Sequence, residues 1–330
     1  MSAGSGRQTR KAAPALACAV TAALLVVLPA QADATRVALG AYIPGASTTP
    51  AKINAYAREV GHRPVIVESF KNWPLSPFYD RQLQAITRRG AVPLIAWEPA
   101  LSGARDAPDT YPLWEIAAGD FDDYIRSAAE AAADWGGPIL LRFAPEMNGD
   151  FYPWGVGANG NTPGDFIAAW RHVVNVFRDE GAYNVKWVWA PNNGPLGDLS
   201  EVYPGNEWVD WLGLSAYNHG GSWGWESFDT AVGDAYRELI ALSSKPIILA
   251  ETGSGEAGGS KARWIRQTFR RELPRFTHIR ALVWFDEADR GADYRVNSSH
   301  ASQQAFRKAI RSRRYRTSAS QLLSTPPYLP

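Results

Sequence analysis

Eight short apolar runs, separated by stretches with helical spacing, constrain this 330-residue chain more than any other feature. The runs cover residues 37–42, 65–70, 92–97, 139–143, 185–189, 209–215, 247–250 and 281–285. Helical spacing appears at 53–60, 80–89, 121–135, 164–180, 230–243, 261–272 and, after the last run, 302–311; only the link 190–208 reads as loop or weak helix. A strand that is apolar throughout belongs to a parallel sheet covered on both faces, because a half-exposed strand would alternate. Eight such βα units within about 275 residues fit a single-domain α/β fold, the closed (β/α)8 TIM barrel. An open doubly wound sheet is the competing arrangement, and no G-x-G-x-x-G follows the first run.

The two ends of the chain stand apart. Arg7, Arg10 and Lys11 precede an almost unbroken apolar run over 12–28, and Ala30-Gln31-Ala32 offers a small-residue cleavage site. Residues 1–32 therefore read as a secretory signal peptide, and the protein as secreted. The one cysteine, Cys18, leaves with that segment, so the stability of residues 33–311 rests on a large core rather than on disulfides. Residues 312–330, rich in Arg, then Ser and Thr, then Pro, read as a flexible basic tail. Without the signal, 31 Lys and Arg face 33 Asp and Glu, a balance that points to neither nucleic acid nor a membrane surface. The mature protein is expected to be a monomer.

The reacting groups of such barrels stand at the C-terminal ends of the strands. Reading those ends gives Glu68 after the second strand, Glu98 after the third, Glu146 after the fourth, Glu251 after the seventh, and Asp286 with Glu287 after the eighth. The five histidines are scattered and form no H-E-x-x-H, and no G-x-S-x-G marks a serine nucleophile, so neither a metal nor a cofactor is expected. Several acids around one rim fit cleavage of a glycosidic bond, which needs one carboxylic acid to protonate the leaving oxygen and one carboxylate to attack or to activate water. The stretch Leu141 to Gly155 carries the first of the pair. It breaks at Pro145, presents Glu146, and follows it with Phe151, Tyr152 and Trp154, flat faces suited to the apolar side of a sugar ring. Low polarity there would keep Glu146 protonated. Glu251 ends a buried strand, where an unpaired carboxylate would cost several kcal/mol, and Arg142 inside the fourth strand is the natural cation to hold it ionised.

Taken together these blocks resemble glycoside hydrolase family 26, the β-mannanase family. Arg142 to Gly155 resembles its R-x-x-H-E-M-N-G…W-G block. The likeness continues through Trp187-Val-Trp-Ala-Pro-Asn192, Tyr203 to Tyr217, Pro246 to Gly253 and Val283-Trp284-Phe285, covering about residues 37–310. The resemblance implies a retaining endo-β-glycanase with Glu146 as acid/base and Glu251 as nucleophile. It further implies that Tyr217 hydrogen-bonds the nucleophile and that Trp154 and Trp284 lie near the subsite where the bond is cut. Trp189, Asn192, Tyr152, Glu98 and Trp97 complete the expected substrate-binding set. One departure bears on specificity: the residue before the acid/base is Pro145 where the family usually has histidine, and proline offers no donor. The partner implied is a polysaccharide, β-1,4-mannan first, with β-1,3/1,4-glucan or xylan as alternatives. A catalytically inactive, carbohydrate-binding barrel is the alternative of another class. Trp114, Trp135, Trp170 and Trp264 fall in helical stretches and read as packing.

Overall fold

The computed structural model describes residues 1–4, 6, 36–101, 108–194 and 198–324; the expected signal peptide, with Cys18, lies outside these apart from 1–4 and 6. Strands β1 (Ala38–Tyr42), β2 (Ile66–Asn72), β3 (Val92–Glu98), β4 (Ile139–Phe143), β5 (Val185–Trp189), β6 (Trp211–Asn218), β7 (Ile247–Ser254) and β8 (Ile279–Phe285) pair in parallel, each with the next. β8 returns to β1 in the register Ala38 opposite Ala281 through Tyr42 opposite Phe285, which closes the (β/α)8 barrel. The helices are α1 (Ala51–Val60), α2 (Asp80–Thr87), α3 (Leu113–Ala118), α4 (Asp122–Trp135), α5 (Pro163–Asp179), α6 (Phe228–Leu242), α7 (Lys261–Gln267), α8 (His300–Ala309) and α9 (Ala319–Leu323). Between β5 and β6 the described residues hold only a 3-10 turn at Leu199–Val202, in keeping with the weak helical signal there.

Apart from the exposed Lys186 of β5, the strands are buried or half-buried on both faces, and their alternate residues form two separate apolar clusters. Ala38, Ile66, Leu94, Leu140, Val188, Ile248, Ala281 and Val283 fill the barrel interior. Leu39, Val67, Ile95, Leu141, Trp189, Leu249 and Leu282 pack outward against the helices. That double burial is the cause of the unbroken apolar runs. The interior is filled to contact: a Cβ on Gly213 of β6 would stand 2.5 Å from the Ala190 Cβ, so no larger residue fits. Helix starts follow local chemistry. Thr162 opens α5 with a reciprocal capping box to Asp165, and Ser227, Ser260 and Ser299 cap α6, α7 and α8. Each such cap contributes about 1 kcal/mol.

Three expectations change. β6 and β7 run on to Asn218 and Ser254, so Tyr217 and Glu251 sit within rigid strands rather than beyond them. Glu68 likewise lies inside β2, not after it. Through residue 324 the tail is packed rather than loose: the buried Tyr315 donates its hydroxyl to the Phe269 carbonyl at 2.5 Å and meets that ring edge-on at 5.2 Å. Leu322 of α9 joins the interior cluster among the strand beginnings. The sequence reading missed this because two apolar anchors among arginines and serines leave no periodic signal.

Candidate active site

Arg142 is the hub of the site. The two-residue repeat of β4 buries Leu141 outward and turns Arg142 into the barrel, where it is wholly buried. Its Nη1 donates to Glu68 Oε1 at 2.5 Å and to Glu251 Oε1 at 2.7 Å, and its Nη2 donates to Ser215 Oγ at 3.0 Å. Burial alone would lower its pKa, but the charges of Glu251 and Glu68 outweigh that and raise it, so it stays a cation. One guanidinium cannot neutralise two carboxylates. Glu68 is fully buried, and burial pushes its pKa up to about 8 despite Arg142. Glu251 reaches the interior through an irregularity: Leu249 pairs with Leu214 and Glu251 with Ser215, so Ala250 is an extra residue in β7. Such a bulge re-aims the side chain that follows it. The second oxygen of Glu251 accepts from the Tyr217 hydroxyl at 2.6 Å.

Glu146 arrives from a strained corner. Ala144 and Glu146, on either side of Pro145, have φ values of 43° and 57°, a left-handed region that costs a non-glycine residue about 1–3 kcal/mol. Hydrogen bonds hold the corner: Ala144 N–H to the Trp97 carbonyl (3.0 Å), Glu146 N–H to the Ala190 carbonyl (2.8 Å), and the Trp154 indole N–H to the Pro145 carbonyl (2.7 Å). The loop then folds back so tightly that a Cβ on Gly155 would lie 1.9 Å from the Gly149 carbonyl oxygen. Burial first, then the neighbouring Glu251, push the Glu146 carboxyl up to about 7, with Arg142, Ser215 and Arg290 pulling the other way. Glu146 is therefore an acid that keeps its proton near neutral pH, beside a Glu251 carboxyl group fixed by a cation and a phenol. That is an arrangement for proton donation and nucleophilic attack in one cleft.

A cleft of about 310 Å³ opens over these groups, with Glu98, Glu146, Tyr152, Tyr217 and Glu251 in its walls. Glu98 accepts from the Asn72 side-chain amide at 2.6 Å, and burial raises its carboxyl to about 7. The four tryptophans expected to meet substrate do not line this cleft. Trp97, Trp154, Trp189 and Trp284 are all at most 1% exposed. Trp154 lies flat beneath Tyr152, with ring centres 4.6 Å apart at 10°, so Tyr152 presents the surface that Trp154 supports. Trp284 donates to the Tyr294 carbonyl at 2.8 Å, and Trp97 donates to the Tyr124 hydroxyl at 3.1 Å. Asn192 is also absent from the cleft wall; its backbone N–H and carbonyl pair with the Asn148 side chain, and its Oδ1 accepts from Gly194 N–H. Large aromatics at strand ends can line a cleft or pack behind it, and spacing does not distinguish the two. Trp114 departs the other way: it is 58% exposed instead of packed.

Several cleft residues escaped the sequence reading. Tyr42, Phe70 and Asn72 come from the ends of β1 and β2, and His219 and Tyr294, joined at 2.5 Å, come from the β6 and β8 sides. Asp289 and Arg290 belong to a hairpin after β8, made of β9 (Ala288–Asp289) and β10 (Ala292–Asp293). Its two turn residues, Arg290 and Gly291, both have positive φ, as a tight hairpin turn requires. Arg290-Gly291 was the available signal, too short to weigh on its own. Among the described residues no group of three or more His, Cys, Asp or Glu is arranged to hold a metal ion.

The sequence profile of glycosyl hydrolase family 26 matches residues 118–278. The chain is 36% identical over 286 residues to endoglucanase H of Acetivibrio thermocellus, covering 82% of this chain and 30% of that protein. It is 26% identical over 176 residues to a mannan endo-1,4-β-mannosidase of Bacillus subtilis, covering 52% of this chain and 45% of that protein. The chain thus spans less than half the length of either relative. Among solved structures, the catalytic domain of a family 26 endo-β-1,4-mannanase from Bacillus sp. JAMB-750 superimposes with a TM-score of 0.67 at 16% identity, over 87% of this chain and 88% of that one. A likeness at that identity concerns the fold.

Proposed function

This chain belongs to glycoside hydrolase family 26, and on that premise we propose that it is a retaining endo-β-glycanase that cuts polysaccharide chains with Glu146 as acid/base and Glu251 as nucleophile. The observation that carries the reading is the fixing of Glu251 between the Arg142 guanidinium (2.7 Å) and the Tyr217 hydroxyl (2.6 Å) in the cleft that Glu146 also lines. In the first step Glu251 attacks the anomeric carbon while Glu146 gives its proton to the departing glycosidic oxygen. The glycosyl ester then removes the negative charge of Glu251. That charge is one of the causes holding the Glu146 proton, so its loss lowers the Glu146 pKa and readies it as a base. Glu146 then takes a proton from the water that releases the sugar, and Glu251 is regenerated. Arg142 and Tyr217 position Glu251 throughout. Glu98 and Tyr152 face the sugar, and Trp154 supports Tyr152 from behind.

We read the substrate as β-glucan rather than β-mannan. The relative named an endoglucanase matches most of this chain at 36% identity, whereas the mannosidase from B. subtilis matches about half of it at 26%. Pro145 points the same way, because it supplies no side-chain hydrogen bond beside the acid/base where mannan-cleaving members usually have histidine. Mannan is the second reading, supported by the mannosidase relatives. On either reading the protein acts outside the cell as a monomer, after removal of residues 1–32. Digestion of mixed-linkage β-glucan, β-mannan and xylan, with the released oligosaccharides identified, tests the proposal. Fastest release from β-glucan supports it, fastest release from mannan shifts it to the second reading, and binding without release leaves the sugar-binding barrel.

A further inference from the structure

β4 and β8 stand four strands apart in a closed ring of eight, so the loops that follow them face each other across the full width of the barrel mouth. The β4 loop carries Tyr152 and the β8 hairpin carries Arg290, and both line the same cleft. Arg290 and Tyr152 thus enter one cleft from opposite walls, near enough for the guanidinium and the phenol to interact. Apart from Arg290, the ionisable groups lining this cleft are acids, tyrosines and a histidine: Arg290 is its only lysine or arginine among the described residues.

Neither side of this contact is loosely held. Tyr152 is stacked on the buried Trp154, which is hydrogen-bonded to the backbone that carries Glu146. The hairpin is tied down at its base by Lys261, a wholly buried lysine. Its ammonium donates to the Asp293 carbonyl (2.9 Å), the Arg295 carbonyl (2.7 Å) and Ser298 Oγ (2.9 Å). Tyr294 N–H donates to the Glu287 carbonyl at 3.0 Å, and Trp284 donates to the Tyr294 carbonyl from below. Burying a lysine costs free energy unless its donors are satisfied, and here all three are spent on one short segment. Arg290 itself remains partly exposed, and its Nε lies 3.4 Å from Asp289 Oδ2, an ion pair that orients the guanidinium and leaves its terminal amino groups to meet sugar hydroxyls.

We propose that Arg290 is a specificity-determining residue, which with Tyr152 forms a clasp across the mouth that grips the polysaccharide from the wall opposite the β4 loop. The proposal rests on the glycanase reading above. An internal stretch of chain entering the cleft exchanges the Arg290–Tyr152 contact for hydrogen bonds from both residues to rings that only a polymer supplies. A short aryl glycoside, bound by one or two rings, makes little use of the clasp. The two residues therefore act as a unit on polymer.

The test compares Arg290→Ala, Tyr152→Phe and the double variant on the best polysaccharide of the panel and on a dinitrophenyl disaccharide. The expected result is a rise in KM for polymer of about five- to tenfold in each single variant. The double variant should be little worse than either single, because the partners are coupled, and kcat/KM of Arg290→Ala on the aryl glycoside should fall by a smaller factor than on polymer. Arg290→Lys should recover only part of the polymer KM, since an ammonium lacks the fork. An unchanged polymer KM, strictly additive effects, or equal losses on both substrates would overturn the clasp. If the native protein cleaves no glycan at all, the glycanase reading fails separately. The clasp is then read from the affinity for β-linked hexasaccharides from the same panel, and an affinity unaltered in Arg290→Ala refutes it.

Discussion

Replacing Arg142 by methionine is the most demanding perturbation of this site. The side chain keeps a similar length and loses its charge, while Glu68 Oε1, Glu251 Oε1 and Ser215 Oγ lose their donor. Removing one partner of a buried pair leaves the other charge uncompensated, at a cost of about 3–5 kcal/mol. At roughly 2 °C per kcal/mol for a domain of this size, the melting temperature at neutral pH should fall by about 6–10 °C. The pH dependence has a definite sign. The folded-state pKa of Glu68 is already raised to about 8, and without the guanidinium it rises further. A group with a raised folded pKa contributes stability that is complete below its unfolded value and is lost as pH rises through the folded one. The variant should therefore lose stability between pH 5 and pH 8 more steeply than the native protein, and Glu68→Gln in the same background should flatten that dependence. Thermal unfolding followed by circular dichroism across pH 5–8 measures this directly. A fall of less than about 2 °C, or a loss independent of pH, would refute the claim that Arg142 carries the charge balance of the barrel interior.

The acid that protonates the leaving oxygen must hold its proton, and Glu146 is pushed up to about 7, so kcat/KM on polysaccharide should decline as pH rises through about 7. A dinitrophenyl glycoside needs no proton for its departing group, and its glycosylation step should not show that alkaline limb. Tyr217→Phe removes one hydrogen bond to a charged group, worth about 1.5–3 kcal/mol, and should slow turnover roughly 10- to 150-fold while the melting temperature falls by no more than about 3–6 °C. An unaltered rate would reduce the tyrosine to packing. Tyr315→Ala should destabilise the fold by about 3–5 kcal/mol, because a buried ring and its bond to Phe269 are lost, and calorimetry on the purified variant checks it.

The barrel was legible because its cause is simple: two buried faces write continuous apolar runs, and β4 and β5 lie where those runs predict. The prospective acids were legible too, as carboxylates at strand ends that hydrophobic burial would not tolerate without a purpose. What the sequence hid follows from geometry rather than composition. The extra residue in β7 that re-aims Glu251 is invisible in a run of Ile, Leu and Ala. Tyr152 and Trp154 look alike in sequence, yet a 10° stack puts one at the cleft and the other behind it. Arg290 stands 144 positions after Glu146 in the chain and comes to the same cleft only because the barrel closes. The anchors of the tail, Tyr315 and Leu322, are single residues with no period to betray them.

The central claim is that Glu251 forms a covalent bond to the sugar. A 2-deoxy-2-fluoro aryl β-glycoside slows release of the glycosyl-enzyme more than its formation when a good leaving group is used, so the intermediate accumulates. Mass spectrometry of the treated protein and of its peptides should find one sugar attached at Glu251 in the native protein, and none in Glu251→Ala. A sugar on Glu146, Glu98 or Glu68, or no adduct on a protein that continues to hydrolyse polysaccharide, would contradict the account.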